Sequence, residues 1–221
     1  MRNKDAHIKQ LEDVIKQMLR PLKNIPFSVV IEALSNCKVI PFNADDEKDQ
    51  AVLQTLVKVA IQAGNMINRY GIHRQRANEV GNDIEPYVKK ELRNNGYNAD
   101  IPKTSSGKRK ATGYPDIQFS DEFGRINYLE CKTYNIENVA TTQRSFYFSP
   151  SDDFKICHDA HHFIISYEVY VDGRDGDKNI YKCNSWKVLS IEDLSVDVKY
   201  EFNSDNVRLY SSELVLAEDT I

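Results

Sequence analysis

The tightest constraint in this chain is a pair of short alternating runs, one opening on Pro115-Asp116 and the other carrying Glu130-Cys131-Lys132. In the first, Tyr114 to Phe119, Asp116 and Gln118 fall on one side and Ile117 and Phe119 on the other, because strand side chains alternate with a period of two. In the second, Ile126 to Thr133, Tyr128, Glu130 and Lys132 share one face while Leu129 and Cys131 share the opposite one. The intervening Ser120-Asp121-Glu122-Phe123-Gly124-Arg125 has turn composition, so the two runs predict a hairpin. Pairing them brings Asp116 near Glu130 and Lys132. Two hard oxygen ligands beside an ammonium suit a magnesium ion and a phosphate. A plain surface hairpin is the alternative, its Glu130 and Lys132 forming a solvated ion pair worth well under ~1 kcal/mol. That alternative explains neither a Pro-Asp opening a strand nor the basic Gly/Ser loop, Thr104 to Gly113, that precedes it.

The segments Gly113-Tyr-Pro-Asp-Ile117 and Tyr128-Leu-Glu-Cys-Lys-Thr-Tyr134 resemble the core of the PD-(D/E)XK nuclease superfamily, and within it the type II restriction endonucleases. Asn78 to Leu92 is similar to the helix that precedes the motif. Thr141 to Pro150 and Ala160 to Tyr167 look like its later core strands, so the likeness covers roughly residues 72 to 170. It implies a Mg²⁺-dependent hydrolysis of double-stranded DNA that leaves 5′-phosphate and 3′-hydroxyl ends. Asp116 and Glu130 would hold the metal together with the main-chain carbonyl of Cys131. Lys132 would orient the attacking water or stabilise the phosphorane; its role as base is left open, because an unperturbed lysine is protonated at neutral pH. A homodimer is expected, since one such site cuts one strand and a palindromic duplex presents two.

Glu85 is the accessory acid that the family pattern favours. It also reads as a helix-start acid beside Pro86, with Asp83 as a cap and Lys89 as an i,i+4 partner, which requires no active site. Glu79, six residues away, lies on nearly the opposite face of any continuous helix. The cluster Cys157-His158-Asp159-Ala160-His161-His162 is a weaker metal candidate, because neighbouring strand positions point to opposite faces and cannot converge on one ion. Arg74, Gln75, Arg76, Gln143 and Arg144 are candidates for contacts to phosphates or base edges, and Lys108, Arg109 and Lys110 for phosphate contacts.

The formal net charge of −4 looks unfavourable for a DNA partner, but its distribution is not uniform. Arg69 to Lys110 carries ten Lys or Arg against five acids, whereas Ile191 to Ile221 carries two against eight. Phosphate binding needs a local positive surface, whatever the total. The four cysteines, Cys37, Cys131, Cys157 and Cys183, form no paired motif, and together with the absence of a signal-like or membrane-spanning run they predict a cytoplasmic protein with no membrane contact.

Helical spacing runs from His7 to Arg20, from about Asp46 to Tyr70 and from about Ile84 to Asn95, with a short helix near Ser151 to Asp159. From Gly113 onward strand patterns dominate. The expected class is α/β (α+β), a mixed central β-sheet flanked by helices with a restriction-endonuclease-like core. A single domain over 1–221 is expected, with a helical N-terminal part (1–70), a catalytic core (72–170) and a strand-rich C-terminal part (171–221). Two other readings remain: a DNA repair, recombination or structure-specific nuclease with the same core, and a non-catalytic DNA-binding protein.

Overall fold

A computed structural model describes residues 2–20, 22–135, 140, 145–200, 204–209, 211 and 213–215. In chain order the elements are α1 (Arg2–Met18), β1 (Ile25–Pro26), α2 (Phe27–Ser35), α3 (Glu47–Tyr70), β2 (Ile72–Arg74), α4 (Val80–Asn94), β3 (Asn98–Asp100), β4 (Ile117–Ser120), β5 (Ile126–Tyr134), β6 (His161–Asp175), β7 (Lys178–Ser190), β8 (Ser195–Val196) and α5 (Asn206–Leu209). They fall into two compact units, Met1–Ile25 with Ser195–Ile221, and Pro26–Leu194. In the smaller unit, α1 exposes the stripe Ile8, Leu11, Ile15 and Met18. The Leu22 carbonyl accepts from the Val198 amide at 2.8 Å.

The larger unit is built on a six-stranded mixed sheet in the order β2-β7-β6-β5-β4-β3. Only β5 and β6 run parallel; the other neighbours are antiparallel. The expected hairpin is present as β4–β5, with Ile117 opposite Leu129 and Gln118 opposite Tyr128. Helices α3 and α4 pack on one face against Ile117, Phe119, Leu129, Cys131, Phe163, Ile165 and Tyr167. On the other, Tyr128 and Ile164 join a second core with Phe27 and Ile31 of α2, Tyr114, Phe154 and Ile156. Full burial of Ile117 or Leu129 contributes roughly 1.5–3 kcal/mol each, more than any exposed ion pair. Apolar parity therefore fixes the register. A slip of one residue would drive Glu130 and Lys132 into the helix-facing core.

Local chemistry explains most element ends. Asp46 caps α3, its carboxylate accepting from the amides of Lys48 at 2.8 Å and Asp49 at 3.0 Å. The helix stops at Gly71, whose φ of +70° disfavours any residue with a Cβ. Several sequence expectations are corrected. Helix α2 occupies a stretch expected to be a connection. Helix α4 begins at Val80, so Pro86 lies inside it rather than in its first turn, and Asp83 binds Arg74 instead of capping. Residues 145–150 are not strand, and 151–159 form bends instead of a helix; residues 141–144 lie outside the described residues.

The β4–β5 turn is tied to α3 by a buried charge cluster. Arg125 donates from Nη1 to Asp49 Oδ1 at 2.6 Å and from Nε to Asp121 Oδ2 at 2.8 Å, while both acids are buried. Burial would raise the Asp49 carboxyl, but the Asn43 amide, the Arg125 guanidinium and His161 outweigh it and hold the pKa below the usual value. This stabilisation is complete above the ordinary carboxylate range and disappears as pH falls through the lowered pKa. Removing the shared cation strands two buried carboxylates, so Arg125→Met is expected to lose about 3–5 kcal/mol of unfolding free energy at neutral pH. Urea denaturation measures it, and a loss under ~1 kcal/mol would mean the cluster behaves like an exposed pair.

Candidate active site

Asp116 lies one residue before β4, where the hairpin register sets it beside Glu130. Its main-chain amide donates to Glu130 Oε2 at 3.2 Å, and the Cys131 amide donates to Asp116 Oδ2 at 2.9 Å. Each carboxylate is thus oriented by the other strand. Lys132 Nζ donates to Glu130 Oε1 at 2.7 Å and lies 5.8 Å and 5.9 Å from the ring centres of Phe146 and Tyr147. Those two aromatics were not singled out in the sequence, because the segment that carries them has no strand or helix period. The Cys131 side chain points into the helix-facing core. Glu85 comes from α4, is mostly buried, and pairs with Lys89 at 3.2 Å. It makes the expected i,i+4 pair without the helix start or the Asp83 cap, and its charge acts on Asp116. Glu79 acts instead on Arg74.

The electrostatics are those of two acids confined together. Burial first, then the Asp116 charge, pushes the Glu130 carboxyl up to about 7, against the pull of Lys132. Burial likewise raises Asp116, opposed by the Cys131 amide and Lys132 and reinforced by Glu85. Lys155 is almost fully buried; burial lowers its pKa, while Asp116, Glu130 and Glu85 act the other way. Its Nζ donates to the carbonyls of Gly113 at 2.5 Å and Pro115 at 2.9 Å. Nothing in the sequence pattern pointed to it.

Other expected contacts separate. Arg74 makes a two-pronged bond to Asp83 at 2.6 and 2.7 Å, and Gln75 bonds Asp177. Arg109 pairs with Asp100 at 2.9 Å and borders an open cleft of about 650 Å³ that includes Lys103, Gln118 and His158 but none of the four site residues. Arg76, Lys108 and Lys110 are exposed, and Gln143 and Arg144 lie outside the described residues. His161 and His162 face opposite sides of the sheet. His161 Nε2 is 3.3 Å from Asp49, while buried His162, its pKa lowered to about 3 by burial and by His161, is neutral and meets the Tyr114 hydroxyl at 2.6 Å.

Among the described residues, no three His, Cys, Asp or Glu side chains gather as a metal cage. The available donors are therefore two adjacent carboxylates and main-chain carbonyls. That hard-oxygen set with few protein ligands fits a hydrated magnesium ion better than zinc, which favours nitrogen and sulfur.

A family model described as "Type II restriction enzyme MjaV family" matches residues 21–213. The type II restriction enzyme MjaV of Methanocaldococcus jannaschii is 36% identical over 228 residues, covering 96% of each chain. No solved structure matches the chain significantly. Both matched spans contain Glu85, Asp116, Glu130 and Lys132.

The raised Glu130 pKa carries a sign that denaturation can read. A carboxyl whose folded pKa exceeds its unfolded value contributes stability that is full below the unfolded pKa and is lost as pH rises through the folded one. Metal-free protein should therefore lose on the order of 3 kcal/mol between pH 4.5 and about 7 from this group. Glu130→Gln in EDTA should show a smaller loss, so that its stability relative to wild type increases between pH 5 and 8. Parallel stability curves for the two proteins would refute the buried-carboxylate assignment.

Proposed function

The chain belongs to the MjaV family of type II restriction enzymes, site-specific deoxyribonucleases, and we propose that Asp116, Glu130 and Lys132 are its hydrolytic centre, with Glu85 as an accessory acid. The observation that carries this reading is the reciprocal bonding of Asp116 with Glu130 and Cys131 beside the Lys132 ammonium. Asp116, Glu130 and the Cys131 carbonyl would hold Mg²⁺. When bound, that ion lowers the pKa of a water ligand and offsets charge on the scissile phosphate.

The chain's own residues supply orientation and charge. The Cys131 amide fixes Asp116 Oδ2, leaving Oδ1 free of that bond to face the substrate side. Lys132, held by Glu130 and bordered by two aromatic rings, is set to orient the attacking water or to stabilise the pentavalent phosphorane. Its Nζ already donates to Glu130, an arrangement that suits stabilisation of negative charge better than proton abstraction. In-line attack breaks the bond to the 3′ oxygen, leaving a 5′-phosphate and a 3′-hydroxyl.

For DNA, exposed Arg76, Lys108 and Lys110 supply cations near the duplex, with Arg74 and Arg109 contributing once phosphates displace their aspartate partners. Gln143 and Arg144 keep their proposed role on sequence grounds. A homodimer places two sites on a palindromic duplex, a two-fold arrangement common among oligomers; the exposed α1 stripe supports it. The family membership favours this reading over a junction-specific repair nuclease or a non-catalytic binder.

A long DNA incubated with Mg²⁺ tests the proposal. Discrete fragments are expected; a smear or a preference for branched DNA would support a repair nuclease, and no cleavage a binder. Asp116→Ala and Lys132→Ala should each lower the rate by at least roughly 10³-fold without unfolding, an effect comparable to loss of a central electrostatic group. Glu85→Ala should slow cleavage less. Near wild-type rates for Asp116→Ala would sink the assignment.

Metal substitution gives an independent test. Two like charges about 4 Å apart at an effective dielectric near 20 interact by about 4 kcal/mol, so unscreened carboxylates repel a phosphate strongly. Ca²⁺ accepts oxygen ligands in looser geometry. It is therefore expected to tighten binding to cognate DNA without cutting, whereas Asp116→Asn binds comparatively well with no metal. Equal wild-type affinity in Ca²⁺ and in EDTA, at one fixed salt concentration, would contradict the carboxylate pair.

A further inference from the structure

Lys155 belongs to none of the catalytic roles above, yet it is a buried ammonium that ends within the turn leading to Asp116. It is 3% exposed. Two of its three N–H donors reach main-chain carbonyls on either side of Tyr114, those of Gly113 at 2.5 Å and Pro115 at 2.9 Å. Gly113 needs a positive φ of 83°, so the turn is not one the chain would hold on propensity alone. Neighbouring residues explain why Lys155 stays in place: Phe154 and Ile156 are buried in the second core. The same short segment also grips the start of the basic loop. Asp153 accepts from the Ser106 amide at 2.9 Å and from both the Ser105 and Ser106 hydroxyls, and the Phe154 carbonyl accepts from the Ser105 amide at 3.1 Å.

We propose that Lys155 is a positioning residue for the hydrolytic centre, clamping the Gly113 and Pro115 carbonyls so that Asp116 meets Glu130 and Cys131 in register. Three consecutive residues, Asp153 to Lys155, thereby clasp both ends of the loop carrying Lys108, Arg109 and Lys110. The ammonium also sets a fixed positive charge among Asp116, Glu130 and Glu85, whose fields all reach it. Lys155 does not touch DNA in this account; it acts through Asp116. The proposal rests on the hydrolytic reading of Asp116 and Glu130.

The test uses full-length protein, Mg²⁺ and a short duplex spanning a cleavage site mapped with the wild type. Single-turnover cleavage with enzyme in excess separates positioning from folding, because misfolded protein lowers the amplitude while misplacement lowers the rate constant. Lys155→Met is expected to lower the rate constant about 100-fold, the scale of an ångström-sized misplacement, with duplex affinity in Ca²⁺ unchanged. Lys155→Arg, which keeps the charge and N–H donors, should recover part of the loss. In metal-free protein, hydrogen exchange in residues 114–117 should quicken about tenfold in Lys155→Met while β6 and β7 keep their protection. A wild-type rate constant, a loss confined to amplitude, or uniform quickening across the sheet would each overturn the proposal. If Lys155→Met does not fold, Lys155→Gln, neutral but still a donor, is measured in the same way with the same outcomes. Asp116→Ala is the control: if it still cuts, the hydrolytic reading itself fails; if it is inactive while Lys155→Met cuts normally, only the positioning role fails.

Discussion

Strand β5 is apolar on one face and carries Glu130 and Lys132 on the other, and the rest of the larger unit depends on keeping those faces apart. Leu129 and Cys131 lock one side beneath α3 and α4, while Tyr128 enters the second core beside α2. With both faces committed, the strand cannot slip by a residue, because that would exchange a buried leucine for a glutamate. The β4 partner inherits this register. The pairing that satisfies the core also brings the two carboxylates to neighbouring positions.

The arrangement conflicts with electrostatics, and the surrounding charges reduce the conflict without removing it. Glu130 is buried with Asp116 half-buried beside it, and the Asp116 charge disfavours ionisation of Glu130. Lys132 opposes this from the same strand and Lys155 from beneath the preceding turn, while Glu85 adds to the repulsion. The buried Arg125 cluster shows the contrasting case. There one guanidinium bonds two carboxylates directly, and Asp49 ends below its normal pKa despite burial. Both groups bring two acids together, but only in the structural one does a single side chain bond both. In the proposed site, the residual repulsion between Asp116 and Glu130 is what a bound cation would relieve.

What could be read in the sequence follows from period and parity. The alternation around Asp116 and Glu130 and the helical spacing of α3 and α4 all depend on local spacing, and each is present. Helix α2 was hidden, although Phe27, Val30, Ile31 and Leu34 keep helical spacing, because its start after Pro26 has no side-chain cap to mark it. The segment 151–159 has helix-like composition, but its residues serve long-range contacts: Asp153 to Ser105 and Ser106, Lys155 to Gly113 and Pro115. Contacts across some forty residues leave no periodic trace. Arg74 was equally opaque, because its cation looks free in sequence until the turn after β2 folds it onto Asp83.

The turn from Gly113 to Asp116 is held from three directions by chemically different partners. The neutral His162 ring bonds the Tyr114 hydroxyl, which burial holds in its protonated form. Lys155 binds the flanking carbonyls, and the Cys131 amide binds the Asp116 carboxylate. His162 and Cys131 both sit on the parallel β5–β6 pair, so two of the three restraints share one rigid ladder. Lys155 alone comes from irregular chain, and that chain is joined to the basic loop through Asp153. The basic loop is thereby joined to the third restraint. Of the three restraints, the one from Lys155 comes from the segment that also holds Ser105 and Ser106, while Glu130 and Lys132 stand on β5.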